Sequence, residues 1–233
     1  MLSKLLTSAL FAGSAAGLIA ALLQLVFVQP VLLHAELYES GALVHFGAEP
    51  VSALQDLPGF EPVRDGLSIV FTMLIYSGYA MILVGLMALA QSRGAPINGR
   101  SGLLWGLAGF VAAHLAPGFT LAPEVPGVAA ADVGARQIWW AATVAAAAAA
   151  MWLIGFGRGL PAWLAAAVLL LAPHLIGAPE PDVFTGPVPT EIGALFAARA
   201  LGVGMAAWAL LGVFSGYFWA RESADDAGLG QQA

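Results

Sequence analysis

Long apolar segments, each close to the length that crosses a bilayer, recur along the whole chain of 233 residues. About 20 apolar residues in a helix cover the hydrocarbon core, and inside it a helix satisfies its own backbone hydrogen bonds. Only 9% of the residues are charged, against about 25% in a soluble domain. The sequence therefore predicts an all-α polytopic membrane protein of about six transmembrane helices. The six segments are residues 5–33, 67–90, 102–117, 137–156, 161–178 and 194–219.

We predict a single transmembrane domain over residues 1–220 and a polar, disordered cytoplasmic tail over 221–233. The N-terminus has the composition of a signal peptide, but its apolar run continues to residue 33, so we interpret it as an uncleaved first helix. A five-span arrangement stays open, because segment boundaries are uncertain by several residues. Pro30 frees the carbonyl of Val26 and is expected to kink the first helix.

The charged residues distribute unevenly over the segments between these helices. Five of the eight basic residues fall on the side of the two termini, whereas eleven of the fourteen acidic residues fall on the other side. By the positive-inside rule we place both termini in the cytoplasm and the acidic loops outside, in the inner or plasma membrane of the cell. The helices then form three hairpins with acidic outer loops. The five inner basic residues are Lys4, Arg93, Arg100, Arg158 and Arg221.

The three remaining arginines, Arg64, Arg136 and Arg199, each lie near the outer start of an even-numbered helix. A cation there opposes the helix dipole and is expected to have an anionic partner. For Arg136 we expect Asp132, four residues earlier, in the favourable order. Arg199 has no acid within one turn and lies in an apolar run, so it is a functional candidate, with an ion pair to an outer-loop acid as the structural alternative.

Several classes of function are excluded or disfavoured by the sequence. The chain has no cysteine, so disulfides and thiolate metal sites are excluded. A net charge of −6 and the lack of a basic stripe disfavour nucleic acid. The HExxH, GxSxG and GxxxxGK[ST] patterns are all absent, so no enzyme motif of these classes is present.

An internal echo joins two of the predicted outer loops. HLAPGFTLAPEVPG at 114–127 and HLIGAPEPDVFTGPVP at 174–189 share His-Leu, then Ala-Pro-Glu, then Gly and Pro. Part of this similarity is expected for any loop, because proline and glycine commonly follow the end of a helix. The first hairpin has a looser version, from Pro30 through His34 to Glu36.

All four histidines fall on the predicted outer side, next to acidic residues. Imidazole with carboxylate or carbonyl ligands suits borderline ions such as Co²⁺, Ni²⁺ or Zn²⁺. The alternative for each histidine is a hydrogen-bonded helix end. As candidate metal ligands we name His34, His114, His174, Glu36, Glu124 and Glu180; as candidate gating or ion-pair residues we name Arg136, Asp132 and Arg199.

Other motifs indicate packing. GSAAG at 13–17 and GLLWG at 102–106 are small-xxx-small patterns that let helices approach closely. Tryptophans such as Trp139, Trp163 and Trp219 lie near segment ends, as an aromatic belt predicts. We assign none of them a ligand role.

Four stretches resemble one known family. HLAPGFTLAPEVPG, the following AADVGARQIWW, the later PHLIGAPEP and the N-terminal QPVLLHAELYE are similar to the CbtA family of proposed cobalt transporter subunits. The resemblance runs from the first helix to the last. It implies uptake of cobalt, linked to cobalamin supply, together with CbtB, a small single-helix partner with a histidine motif. Such proteins are usually described with about five spans, whereas the charge pattern here favours six.

The expected function is therefore a membrane permease subunit for a divalent transition metal, most specifically Co²⁺, with no permanently bound cofactor. Two alternatives remain open. One is a non-transporting accessory or assembly subunit of a metal uptake system, which would need no polar path through its core. The other is an intramembrane enzyme that uses the outer histidines, glutamates and arginines.

Overall fold

The computed structural model describes residues 2–47 and 58–229, with the backbone only for 224–229. Within these ranges the chain is helical and contains no β-strand. Two acidic residues of the first predicted outer loop, Glu49 and Asp56, lie outside the described residues, as do positions 230–233 of the predicted tail. The elements are α1 Leu2–Leu23, a first π-helical turn Gln24–Val28, α2 Gln29–Glu39, α3 Pro62–Gln91, α4 Gly99–Phe110, a second π-helical turn Val111–Leu115, α5 Ala116–Thr120, α6 Val133–Phe156, α7 Gly159–Ile176 and α8 Thr190–Leu229.

Six helical stretches in the described part of the chain are long and apolar enough to cross a membrane. The prediction of six spans is confirmed by length and composition. The first stretch joins α1, the first π-turn and α2, and it ends at Glu39 instead of residue 33. The six stretches are Leu2–Glu39, Pro62–Gln91, Gly99–Thr120, Val133–Phe156, Gly159–Ile176 and Thr190–Ser223.

Polar caps explain why two helices, α3 and α6, begin earlier than predicted. Glu61 caps α3 and accepts hydrogen bonds from the backbone N–H groups of Val63 and Arg64. Asp132 caps α6 and accepts from the N–H of Ala135 at 2.9 Å. Cap and first-turn residues satisfy the free N–H groups of a helix start but carry no apolar signal. At the other end, α7 stops at Ile176 because Gly177 adopts a φ of +91°.

The chain folds into two compact units. Unit 1 contains the N-terminal segment up to Gln24, Phe60–Phe110 and the C-terminal segment from Val203. Unit 2 contains Leu25–Gly59 and Val111–Gly202. Along the chain, both π-helical turns coincide with a boundary between the units.

Unit 1 is held together by close helix contacts at glycines. Gly13 and Gly17 of α1 lie against the backbone of α3, where a Cβ on Gly17 would be 2.6 Å from the Cα of Met73. Gly102 and Gly106 of α4 lie against α8 in the same way, with a Cβ on Gly106 only 3.0 Å from the Cα of Gly212. The predicted role of both small-residue motifs in close packing is confirmed.

Unit 2 contains the α6–α7 hairpin and the second π-turn. Ala112, Ala116 and Ala147 form a small buried cluster, against which Leu170 of α7 packs. Small side chains here allow α6 to approach the irregular helical segment closely. The cluster therefore fixes the position of the π-turn beside α6.

The second half of α2 meets the segments that follow α2, α5 and α7 in a second cluster of unit 2, which we call the loop core. The backbone N–H of Ala129 donates to the carbonyl of Thr185 at 2.9 Å and links two of these segments. Gly127, with a φ of +81°, leaves room for Glu39, whose Cβ would lie 3.2 Å from an added Cβ. The loop core consists of Ala35, Tyr38, Leu43, Val125 and Val188.

Candidate functional site

All six candidate metal ligands belong to unit 2, as do Asp132, Arg136 and Arg199. The fourth histidine, His45, belongs to it as well. Unit 1 contains the tight glycine contacts described above. Within the chain, the named candidates and the close glycine contacts thus fall into different units.

His174, in the last turn of α7, is held by a hydrogen bond and by two aromatic rings. Its Nδ1 is hydrogen-bonded to the Oγ1 of Thr120 at 3.0 Å. The rings of Phe119 and Trp139 approach it edge-on, with centroid separations of 5.3 Å and 6.1 Å. Trp139 in turn donates its indole N–H to the carbonyl of Pro173 at 3.3 Å. These contacts fix the ring of His174 and engage one of its two nitrogens, which leaves Nε2 as the ring atom for a further ligand.

Glu124 and Arg136 form an ion pair, with Oε2 and Nη2 2.6 Å apart. The side chains are 32% and 25% exposed, so water still reaches the pair. The Nε of Arg136 is buried and, among the described residues, has no hydrogen-bond partner. The expected partner of Arg136 was Asp132, and that expectation is corrected here. Asp132 is engaged as the helix cap, which leaves Arg136, one turn further on, to reach Glu124.

His114 lies in the second π-turn, three residues before Pro117. This turn is followed directly by α5. The sequence placed it at the end of a short helix, but the helical stretch continues to Thr120. Prolines supply no N–H to the preceding turn, and π-turns are often found at functional positions. His114 is therefore at an irregular point inside a membrane helix instead of at its end.

The remaining candidate ligands do not share one location. His34 lies on α2, and its ring stacks at a tilt on Tyr38 with a centroid separation of 5.5 Å. Glu36 follows on the same helix and is exposed. Glu180 is exposed in the segment between α7 and α8. Across the described ranges 2–47 and 58–229, no three His, Asp or Glu side chains are grouped closely enough to hold a metal ion.

Arg199 has a different partner from the carboxylate that the sequence led us to expect. Its Nη1 donates to the backbone carbonyl of Phe27 at 3.1 Å. Phe27 is part of the first π-turn. The turn is followed directly by α2, which begins with Gln29 and Pro30. The predicted disturbance at Pro30 thus takes the form of a π-turn, and Arg199 satisfies one of its carbonyls.

Sequence reasoning missed two residues of this site. Thr120 is the hydrogen-bond partner of His174, and Trp139 was interpreted as part of an aromatic belt. A signal for Thr120 did exist, since it follows His114 within the echoed loop. The contact of Trp139 with His174 depends on the pairing of α6 with α7, which local composition does not encode.

Comparison with protein families decides the affiliation of the chain. Residues 2–220 match the family described as "Probable cobalt transporter subunit (CbtA)". The chain belongs to the CbtA family. The match runs from the start of the first span to three residues before the end of the sixth, and it confirms the resemblance drawn from the four sequence stretches. Neither the curated proteins nor the solved structures contain a match to the chain.

Membership in the CbtA family makes this a multi-pass membrane protein of a transporter family. The family description implies cobalt as the substrate and, by the word subunit, further subunits. It indicates no enzymatic family. The intramembrane enzyme considered above thus has no support from the comparison.

Proposed function

We propose that this CbtA chain is the permease subunit through which Co²⁺ enters the cell, in support of cobalamin supply. The observation that carries the proposal is the gathering of all candidate ligands in unit 2 of a six-span chain whose family is one of cobalt transporter subunits. Both termini lie in the cytoplasm, and the loop core faces outward. Ni²⁺ and Zn²⁺ are the competing ions that the same ligand types would accept.

In this proposal the metal meets ligands in succession and not in one preformed cage. His174 and Glu124 receive the ion near the loop core, and His114 receives it at the π-turn. His34, Glu36 and Glu180 contribute as ligands or as groups that orient them. A path of weak, successive sites allows an ion to enter and also to leave.

Arg136 and Arg199 act as gating residues. Because Arg136 already neutralises Glu124, an arriving cation gains this carboxylate only when the ion pair opens. Asp132 fixes the start of α6 and so positions Arg136. The pair therefore keeps Glu124 from holding a metal ion too tightly.

A non-transporting accessory subunit is the second candidate. The observation in its favour is that the described residues contain no group of three metal-ligating side chains. In either case we propose a small single-helix partner similar to CbtB, whose histidine motif would complete the ligand set.

The test is uptake of labelled cobalt by membrane vesicles that contain the purified chain, with and without the CbtB-like partner. We expect His174→Ala and His114→Ala each to lower the rate at least about tenfold, the effect of losing about 1.4 kcal/mol of binding or transition-state stabilisation. His45→Ala is the matched control and should transport normally. Comparison of Co²⁺, Ni²⁺ and Zn²⁺ establishes the preferred ion.

Normal cobalt accumulation by both variants would overturn the ligand assignment. If the wild-type chain moves no cobalt under either condition, although it is folded, the accessory role is the correct one. Protein levels must be equal in all samples for either conclusion.

A further inference from the structure

Arg199 lies in the apolar part of α8, nine residues after its first residue, Thr190. At about 1.5 Å per residue this is roughly 14 Å along the helix from Thr190, within a stretch that is apolar enough to cross a membrane. A charged side chain inside such a stretch is costly and characteristically marks an ion path or a partner within the protein. The position therefore calls for a specific chemical reason.

The contact of Arg199 is a main-chain carbonyl at a break in a helix. Nη1 donates to the carbonyl oxygen of Phe27 at 3.1 Å. This oxygen belongs to the π-turn Gln24–Val28, which precedes Pro30. Pro30 lacks the N–H that would bond the carbonyl of Val26, and the change between π and α register leaves a neighbouring carbonyl, that of Phe27, open to the donor of Arg199.

A carbonyl is neutral, so this hydrogen bond satisfies the guanidinium without cancelling its charge. In the described part of the chain, the partner of Arg199 is this carbonyl and not a carboxylate. Carbonyl oxygens at interrupted membrane helices are the groups that coordinate cations in transporters. The oxygen of Phe27 is therefore a cation ligand by its chemistry, and a cation occupies it.

The second π-turn has the same construction. Val111–Leu115 precedes Pro117 and carries the imidazole of His114. Both interrupted membrane helices thus present one potential cation ligand at the break. At the first break the ligand is covered by Arg199.

We propose that the Phe27 carbonyl is a ligand on the metal path and that Arg199 is a tethered cation which occupies it between transport events. The inference rests on the proposed permease function and names the regulation of the same path. Arg199 withdraws when a divalent cation arrives and returns to displace it onward. When a tethered group competes with the substrate for a site, the apparent affinity for the substrate falls in proportion to the fraction of time that the site is free.

Removal of the tethered charge should therefore separate KM from kcat. If Arg199 covers the carbonyl about nine-tenths of the time, its loss lowers the KM for Co²⁺ about tenfold. The maximal rate should fall, because nothing displaces the bound ion onward. If the guanidinium of Arg199 only stabilises the interrupted helix, its removal should raise the KM for Co²⁺ instead.

The experiment measures Co²⁺ uptake kinetics in vesicles with the full chain, in the subunit composition that supports wild-type uptake. Arg199→Ala should show a lower KM, and guanidinium ion added to the medium should raise it again competitively. Arg199→Gln, which keeps an N–H donor but not the charge, should also show a lower KM. Arg199→Lys should resemble the wild type, and Arg158→Ala, which removes an arginine from the exposed turn before α7, should change neither parameter.

An unchanged or raised KM in Arg199→Gln overturns the tethered-cation role, as does a KM of Arg199→Ala that does not respond to guanidinium ion. If Arg199→Ala does not fold, Arg199→Gln and Arg199→Lys decide the question between them. Failure of the wild type to move Co²⁺ at all is a failure of the proposed function, and it is visible before any variant is compared.

Discussion

At the scale of single residues, the ion pair of Glu124 with Arg136 is the contact most relevant to the proposed uptake. The two groups are 2.6 Å apart and partly exposed to water. Ion pairs with this degree of exposure contribute about 0 to 1 kcal/mol to stability, because solvent screens them. A strong effect of these residues on uptake would therefore reflect a role in handling the ion and not a role in folding.

We expect Glu124→Gln to raise the KM for Co²⁺ about tenfold, while the free energy of unfolding changes by less than about 1 kcal/mol. The exchange of both charges, Glu124→Arg with Arg136→Glu, should restore the stability but not the uptake. Uptake kinetics and thermal unfolding in detergent measure the two effects. Glu191→Gln, an exposed carboxylate outside the candidate set, is the control.

The charge exchange also gives the result that would contradict this prediction. If the exchanged pair transports as well as the wild type, the ion pair is structural. In that case Glu124 does not contact the metal.

At the scale of helices, the sequence predicted close approach but not the partners. The motif at 102–106 indicated a small-residue face on α4, and Gly106 does lie against α8. The identity of the partner helix depends on the whole fold, since many helices in this chain have small faces. The π-turns show a similar limit. Apolar composition is the same in α and π register, so only Pro30 and Pro117 marked those positions.

We predict that Gly106→Val destabilises the protein by about 1 to 3 kcal/mol, the range for overpacking a tight contact. The added side chain would meet the backbone of Trp208 and Gly212. Gly85→Val in α3 is the matched control, because an added Cβ there meets nothing within 4 Å. The midpoint of thermal unfolding in detergent should fall for the first variant only, and equal losses in both would show that valine in a helix, not the contact, is responsible.

The candidate site, like the helix contacts, was predictable only in part, because local sequence patterns do not specify which segments meet. Residues of the repeated loop motif, such as His174 and Glu180, could be named as candidates from spacing alone, and their role stays a prediction. The pairs that define the site were not. Arg199 and Phe27 are 172 residues apart in the sequence, and the pairing of Arg136 with Glu124 depends on the course of the irregular segment between α5 and α6. Long-range contacts of this kind follow from helix packing, which local patterns do not specify.

At the scale of the whole molecule, the division into two units separates the candidate ligands from the close glycine contacts. All candidate ligands belong to unit 2, while the glycine contacts of Gly17 and Gly106 belong to unit 1. Tight small-residue packing favours a fixed helix arrangement. Interrupted helices, in contrast, are the segments in which transporters place ion ligands and motion. We therefore expect changes during transport to concentrate at the two π-turns.

The orientation in the membrane is the remaining property of the whole molecule, and the absence of cysteine makes it measurable. Between Ser92 and Val183 the chain passes through three of the six membrane-spanning helices, so the two positions must lie on opposite sides. Both are exposed. The excess of basic residues near Ser92 places it in the cytoplasm by the positive-inside rule. A membrane-impermeant maleimide should label Val183→Cys in intact cells and Ser92→Cys only after permeabilisation. Labelling of Ser92→Cys alone would invert the orientation, and equal labelling of both in intact cells would contradict the count of six spans.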